Sequence, residues 1–140
     1  MRRFDEDIIT AKICPYCGAA PKYVDSIEVY RKSYGMIYLC KPCQAWVGVH
    51  KGTDKALGRI ANQELRYWKR RAHFFFDQLW AKAIKQGRSK RQARLDAYAW
   101  LSEELEIYSD HCHIGMFTVI LCKKVEILCK PYCNIKTYEF

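Results

Sequence analysis

Two cysteine pairs of the same form lie near the start of the 140-residue chain: CPYC at Cys14 and Cys17, and CKPC at Cys40 and Cys43. A C-x-x-C pair forms a tight turn that aims both sulfurs at one point, and 22 residues separate these two pairs. A hairpin between them brings the second pair opposite the first, which completes a tetrahedron of thiolates around Zn²⁺ at Zn–S distances of about 2.3 Å. The spacing is typical of a zinc ribbon and predicts one structural Zn²⁺ with these four ligands.

Other interpretations of the four cysteines are a redox pair with a second copy, a disulfide framework, or plain buried thiols. A single C-x-x-C would suit a thioredoxin-like motif, but a second pair at ribbon spacing favours a metal site. A catalytic zinc is disfavoured because four thiolates leave no open position for water. The predicted metal therefore supplies folding energy rather than chemistry.

The chain is basic, with 24 Lys and Arg against 15 Asp and Glu and a formal net charge of +9. This balance favours contact with nucleic acid or with an acidic protein surface. The first residues lack the apolar core of a secretory signal, and no apolar run is long enough to span a bilayer. We therefore expect a cytoplasmic protein with no membrane contact, where paired cysteines bind metal more often than they form disulfides.

The segments that must position the cysteines are rich in β-branched and aromatic residues. Three such stretches, KYVDSIEVYR, YGMIYLC and AWVGVH, lie within residues 14–50, and they predict the three-stranded antiparallel sheet of a zinc ribbon. Gly52 and Thr53 then mark a break. We predict an α+β protein with a zinc-ribbon module at residues 1–52 and a helical region at residues 53–140, packed on the ribbon or tethered to it.

About three helices are predicted in the second region. Apolar residues recur at three- and four-residue steps from Ala56 to about Gly87, which indicates one long amphipathic helix. Ser89 is placed to cap a second helix that runs to about Ile107.

The last stretch, TVILCKKVEILCKPYCN, is compatible with a strand or a helix because it starts with β-branched residues. Cys122, Cys129 and Cys133 fall at helical steps, so a helix beginning at Thr118 is preferred. Pro131 is expected to end or kink that helix.

Positive charge is concentrated between Arg66 and Arg94, where ten Lys or Arg residues accompany one acid, Asp77. A basic helix face beside an aromatic ring can grip phosphates and stack on an exposed base. On the predicted long helix, Arg59 and Arg66 share such a face. The predicted nucleic-acid contacts, to DNA or RNA, are Arg59, Arg66, Lys69, Arg70, Phe74, Arg88, Lys90 and Arg91.

Two alternatives to nucleic-acid binding remain at this stage. A charge-rich helix face is often merely solvated. The chain is otherwise interpreted as a zinc-stabilised protein-interaction module, because a ribbon presents edge strands and aromatic residues such as Tyr30, Tyr34 and Tyr38 to a partner. A basic surface continuous across ribbon and helices favours nucleic acid, whereas a basic rim around an exposed apolar patch favours a protein.

The remaining cysteines and histidines allow a second metal site, although no further C-x-x-C occurs and free cysteines are usually buried. The residues that would form it are His111, Cys112, His113, Cys129 and Cys133; core or surface thiols are the preferred interpretation. His50 and His73 belong to no catalytic motif, and no Walker A, H-E-x-x-H or GxGxxG pattern occurs. We therefore expect a non-enzymatic protein; an enzyme would need a cleft that gathers a histidine with Asp77 or a cysteine.

The chain resembles a family of zinc-finger-containing domains of unknown function found in bacteria and their phages. The resemblance runs through CPYCG, YLCKPCQAWVGVHKGT, LGRIA, FDQLW, AYAWLSEEL and HIGMF, and extends to Cys122. Similar proteins have an acid where this chain has Thr118, and the tail CKPYCNIKTYEF differs from theirs.

The resemblance implies a zinc ribbon followed by helices, in a bacterial or phage-infected host cell. Under the alternative of a protein-interaction module, the chain is a phage or mobile-element factor that docks on a host complex or a virion protein. The resemblance also implies that the four paired cysteines are zinc ligands. Further positions of the family pattern have no assigned role: Trp46, Gly48, His50, Phe76, Asp77, Leu79 and Trp80.

Overall fold

The computed structural model describes residues 1–134, and these form two compact units. The first, called here the ribbon unit, comprises Phe4–Glu64. The second, called the helical unit, comprises Met1–Arg3 together with the chain from Leu65 onward. The last six residues of the chain, part of the tail CKPYCNIKTYEF noted in the sequence analysis, lie outside the described residues.

The ribbon unit contains the predicted three-stranded antiparallel sheet. After a one-turn helix α1 (Glu6–Ile9), its strands are β1 (Lys22–Asp25), β2 (Met36–Cys40) and β3 (Ala45–Gly48), in the order β1-β2-β3. The register pairs strand residues across the sheet, as Tyr23 with Tyr38 and Leu39 with Trp46. The prediction of an α+β fold with an N-terminal ribbon is confirmed.

The first strand is shorter than the β-rich stretch KYVDSIEVYR suggested. It ends at Asp25, whose carboxylate accepts a hydrogen bond from the backbone N–H of Ile27 at 2.8 Å. This local bond begins a 3-10 turn at Ser26–Glu28. A short polar side chain that bonds its own backbone competes with strand pairing, and that competition ends the strand.

The long helix begins seven residues later than predicted, at Gln63 rather than Ala56. Residues 56–61 lie along β3 instead: the Leu57 N–H donates to the Gly48 carbonyl at 2.9 Å, and Ala61 forms an antiparallel bridge with Trp46. An exposed strand edge offers unpaired backbone groups that such a segment can satisfy. The predicted boundary at residue 52 therefore lies inside the ribbon unit, which continues to Glu64.

The helical unit holds three long helices, α2 (Gln63–Lys85, which starts two residues before the unit), α3 (Lys90–Leu105) and α4 (Val119–Cys129). Ser89 caps α3 by accepting from the Gln92 N–H, as predicted. Thr118 caps α4 by accepting from the Leu121 N–H at 3.3 Å. Threonine is a good N-cap, so this helix begins at Thr118 as predicted.

Short 3-10 turns adjoin α3 and α4. Two of them, Ser109–His111 and Ile114–Met116, lie in the connection between these helices. Pro131 lies in a 3-10 turn, Lys130–Tyr132, that directly follows α4, so the predicted end of this helix is confirmed. None of the helices formed by residues 1–134 is long and apolar enough to cross a membrane.

Large apolar side chains form the core of the helical unit. Phe76, Leu101, Phe117 and Val125 are fully buried, and the Tyr98 ring lies 4.6 Å from that of Phe76. Burial of each such side chain stabilises the fold by about 1.5–3 kcal/mol relative to exposure. The apolar stripe predicted on α2 is thus correct from Leu65 onward.

Candidate metal centre

The structure brings the four predicted ligands together at one end of the sheet. The Sγ atoms of Cys14, Cys17, Cys40 and Cys43 all lie within 4.8 Å of one another, and those of Cys17 and Cys40 are 3.6 Å apart. A regular tetrahedron with Zn–S bonds of about 2.3 Å has sulfurs roughly 3.8 Å apart. Four thiols at this separation fit one Zn²⁺, the usual metal of closed structural sites with four thiolates.

The first cysteine turn is closed by backbone hydrogen bonds around Cys14. Its carbonyl accepts from the Gly18 N–H at 2.8 Å, and its N–H donates to the Ala19 carbonyl at 2.8 Å. Gly18 has a φ of +80°, a conformation that a residue without Cβ adopts at little cost. The glycine that directly follows Cys17 therefore has a direct structural reason.

The second turn has the same plan with a different residue at the critical position. Gln44, which directly follows Cys43, has a φ of +49°, and its N–H donates to the Lys41 carbonyl at 3.1 Å. A non-glycine residue in this region carries a conformational cost. Nothing in the sequence marked Gln44, because glycine is the usual signal for a left-handed position.

The ligand cluster has a buried side and an exposed side. Cys14 and Cys40 are 1% and 4% exposed, whereas Cys17 is exposed and Cys43 is half-buried. The residues packed on the buried side form the small core of the ribbon unit: Ala11, Ala45, Val47 and Ile60, with the partly buried Tyr38 and Ala56. The cysteines are therefore part of that core as well as potential ligands.

The four thiols do not share one acidity in the metal-free protein. A hydrogen bond from the Ala19 backbone lowers the pKa of Cys17, helped by the other thiols. Burial raises the pKa of Cys40, and the contact with Cys17 raises the pKa of Cys43 to about 12. Cys40 and Cys43 thus hold their protons until a cation takes their place, which is the usual coupling between zinc binding and proton release.

A second metal site is not formed within residues 1–134, where the four-cysteine group is the only one of its kind. Cys112 and Cys129 are fully buried, and burial raises the pKa of Cys112 to about 11 and that of Cys129 to about 12. Cys133 is half-buried and donates from Sγ to the Phe75 carbonyl at 3.0 Å. His111 is buried too, at 2% exposure. These residues serve as core thiols and a core histidine.

Arg59 does not share a helix face with Arg66, contrary to the prediction. It lies in the ribbon unit, before α2 begins, and is only 9% exposed. Its guanidinium carbon lies 5.2 Å from the centroid of the Phe4 ring, a distance at which a cation and an aromatic ring attract. The prediction failed because the apolar spacing of residues 56–61 was interpreted as helical.

Three other residues predicted to contact nucleic acid interact with neighbouring residues of the helical unit. The Lys69 ammonium donates to the Gly115 carbonyl at 2.8 Å, and Arg88 forms an ion pair with Asp96. Phe74 is half-buried and its ring packs edge-on against Phe75, 5.0 Å away. These side chains contribute to the fold of the unit before they contribute to any interface.

Other members of the predicted set remain open to solvent. Arg70 and Arg91 are exposed, and no ion pair or side-chain hydrogen bond engages either of them within the described part of the chain. Lys90 is exposed and lies 5.6 Å from the Trp80 ring. Arg66, by contrast, is half-buried.

Sequence reasoning missed the local role of two family-pattern residues, Asp77 and Trp80. The indole Nε1 donates to Asp77 Oδ1 at 2.9 Å, while Asp77 Oδ2 lies 3.7 Å from His73 Nδ1. Steps of three and four on a helix bring such side chains together, so the spacing itself was the signal. His73 and Asp77 are 47% and 42% exposed, so they form a surface pair along α2.

The comparisons agree with the metal centre. A family model described as a zinc-finger-containing domain matches residues 10–132, which includes all four cysteines and all three long helices. Neither the curated proteins nor the solved structures contain a significant match to the chain.

Proposed function

The chain belongs to the family of zinc-finger-containing domains, and from this premise we propose that it is a non-enzymatic protein that binds nucleic acid. The zinc ion supplies folding energy to the ribbon unit, since four thiolates close its coordination sphere. The helical unit supplies the cations that meet phosphates. The observation that carries the proposal is the charge of the segment from Arg66 to Arg94, with ten basic residues and one acid.

Four of the exposed basic residues of this segment form what we call the phosphate set: Arg70, Lys85, Lys90 and Arg91. Arg70, Lys85 and Arg91 make no ion pair or side-chain hydrogen bond within residues 1–134. A cation with no internal partner binds a phosphate without first losing an interaction, and it releases condensed counterions from the nucleic acid. This distinguishes the phosphate set from Lys69 and Arg88, whose partners lie inside the unit.

The test is the salt dependence of binding to a mixed-sequence oligonucleotide, measured by fluorescence anisotropy from about 50 to 200 mM salt. The double variant Arg70→Glu with Arg91→Glu removes two phosphate contacts. It should reduce the slope of log K against log salt by about 1.5, since each contact contributes roughly 0.7–0.9.

The matched control is Lys12→Glu with Lys55→Glu, which changes the net charge equally through exposed lysines of the ribbon unit. It should leave the slope close to that of the wild type. Undetectable binding by the wild type at the lowest salt, or equal losses in the two double variants, contradicts the proposal.

A second candidate function, docking on a protein, is supported by one observation on α4. Ile120 and Ile127 lie seven residues apart and are 67% and 70% exposed, which places two large apolar side chains on one helix face. Purification of the protein from its host cells, with and without nuclease, separates the two candidates. A protein that co-purifies after nuclease treatment, and that Ile127→Ser releases, favours this second function.

A further inference from the structure

A groove of about 920 Å³ in the ribbon unit takes no part in the metal centre. Ile37 and Gly48 are paired across β2 and β3, so they line the groove from one face of the sheet, and Trp46 lies on that face two residues before Gly48. Tyr30 and Tyr34 line it from the loop between β1 and β2. Its volume falls within the range of roughly 300–1,000 Å³ that ligand sites occupy.

The aromatic side chains of the groove form a connected set. Tyr30 meets Trp46 edge-on at a centroid distance of 6.0 Å, and Tyr34 meets Tyr30 edge-on at 5.5 Å. The Trp46 Nε1 donates to the Tyr30 hydroxyl at 3.1 Å, which fixes both rings. Tyr34 is nevertheless 69% exposed and Tyr30 44% exposed, so ring surface is left open to a ligand.

The loop that carries these tyrosines is held by its own hydrogen bonds. The Asp25 carboxylate accepts from the Ser33 hydroxyl at 3.0 Å, and the Ser26 hydroxyl accepts from the Tyr34 N–H at 2.7 Å. Gly35 has a φ of +102°, where a residue with Cβ would be strained. A wall that is ordered before binding lowers the entropy lost when a ligand arrives.

The charges at the groove indicate the kind of ligand. The Lys32 ammonium lies 5.3 Å from the Tyr34 ring centroid. Lys51 and Asp54 line the groove. Ammonium groups beside aromatic rings suit a planar base attached to phosphate. Asp54 is the one acid among the described residues that line the groove, and its carboxylate can accept from an N–H group of a base.

We propose that this groove binds an unpaired base of a single-stranded nucleic acid. The base stacks on the ring of Tyr34 and meets the ring of Tyr30 edge-on, and Lys32 and Lys51 meet the flanking phosphates. The inference deepens the proposed function, because it names single strands as the ligand and gives the ribbon unit a direct contact. Edge-on packing is one of the arrangements that aromatic rings prefer, and it leaves a ring face available for stacking with a base.

The deciding probe is a pair of oligonucleotides of equal length, one of deoxythymidine residues and one abasic. Both carry the same phosphates, so the phosphate set acts on both, and only the first has bases to stack. The wild type should bind the base-containing strand roughly tenfold more tightly, the magnitude typical of base–aromatic stacking. Tyr34→Ala should abolish the difference, whereas Tyr132→Ala, at an exposed tyrosine of the helical unit, should preserve it.

A second variant fills the groove instead of removing a ring. Gly48 has no left-handed φ, and a Cβ there would meet only the Leu57 side chain, at an ordinary 3.5 Å. The Gly48→Val protein should therefore fold and retain zinc, but it should lose the preference for the base-containing oligonucleotide. Zinc content, measured on every variant, verifies that the ribbon unit is intact.

The outcomes separate this inference from the proposed function. Equal affinity for the two oligonucleotides, or for single strands and duplex, overturns the groove while the phosphate set stands. If no oligonucleotide binds, titration with thymidine monophosphate followed by NMR decides: shifts of the Tyr30, Tyr34 and Trp46 ring signals support the groove, and unchanged signals overturn it. A protein partner lost in Tyr34→Ala, with oligonucleotide affinity unchanged, also overturns it.

Discussion

The two units of this protein achieve stability by different means. The core cluster around the cysteines of the ribbon unit contains alanines and aliphatic residues such as Val47 and Ile60 but no fully buried aromatic ring, whereas the core of the helical unit contains Phe76 and Phe117. Units of about 60 residues bury too little apolar surface to be comfortably stable and commonly use metal or disulfide links. The difference teaches that the zinc site substitutes for the buried aromatic side chains that the ribbon unit lacks.

The largest predicted effect is loss of the metal. Cys40→Ser should unfold the ribbon unit, because structural zinc contributes about 10–16 kcal/mol of folding free energy at neutral pH. The helices of the helical unit should remain folded. Hydrogen exchange resolved by segment, with zinc analysis of the same samples, measures this. The control is Cys133→Ser, which changes a half-buried thiol outside the cluster and should keep one zinc per chain. If the amides of the ribbon unit stay protected from exchange in strong chelator, zinc is not what stabilises that unit.

The converse prediction concerns the apolar core. Phe76→Ala should cost about 3–5 kcal/mol of unfolding free energy, because truncation of a fully buried phenylalanine leaves a cavity. Denaturant titration of the helical signal gives the value, and zinc content should not change. Phe74→Ala, at the half-buried position two residues earlier, should cost less. Equal losses at the two positions would show that the core is not centred on Phe76.

A smaller effect is expected from the ion pairs of the helical unit. Arg71 and Glu126 form a 2.5 Å hydrogen-bonded pair with side chains 21% and 15% exposed. Glu126→Gln should cost about 1.5–3 kcal/mol, the range for hydrogen bonds to charged groups. The matched change Asp110→Asn disrupts a pair with Arg3 whose side chains are more than half exposed, so its cost should be smaller because solvent screens it. A reversed order in thermal unfolding would contradict this ranking.

The smallest effect separates two glycines of the ribbon unit. Gly18→Ala should weaken zinc retention by about 1–2 kcal/mol, since its φ of +80° is costly for any residue with Cβ. Gly48→Ala should have little effect, because that position needs no left-handed backbone and has room for a methyl group. Competition with a metallochromic chelator measures both. Similar losses would show that packing, not backbone conformation, governs the first turn.

Local signals predicted many elements correctly because their causes are local. Ser89 and Thr118 begin helices by bonding backbone groups a few residues ahead, and this chemistry is the same in any fold. The start of α2 was misplaced, because Leu57 and Ala61 have helical spacing but bond to β3. Periodicity describes which residues are apolar, and it does not say which neighbour covers them.

The candidate nucleic-acid residues divide in the same way. Their charge follows from the residue types alone, and Arg70 and Arg91 are exposed to solvent. Whether a cation has an internal partner depends on distant residues, as with Lys69 and the Gly115 carbonyl. The groove of Tyr30, Tyr34 and Trp46 likewise exists only where a loop and two strands meet.

The sequence by itself determined the zinc ligands, because two C-x-x-C turns at ribbon spacing carry their own geometry. It also determined the fold class and most helix limits, since periodicity and caps act over a few residues. Tertiary structure alone decided which side chains were consumed by internal contacts, that Arg59 was buried against Phe4, and that Gln44 took a left-handed conformation. Those outcomes depend on residues far apart along the chain, whose proximity no local pattern encodes.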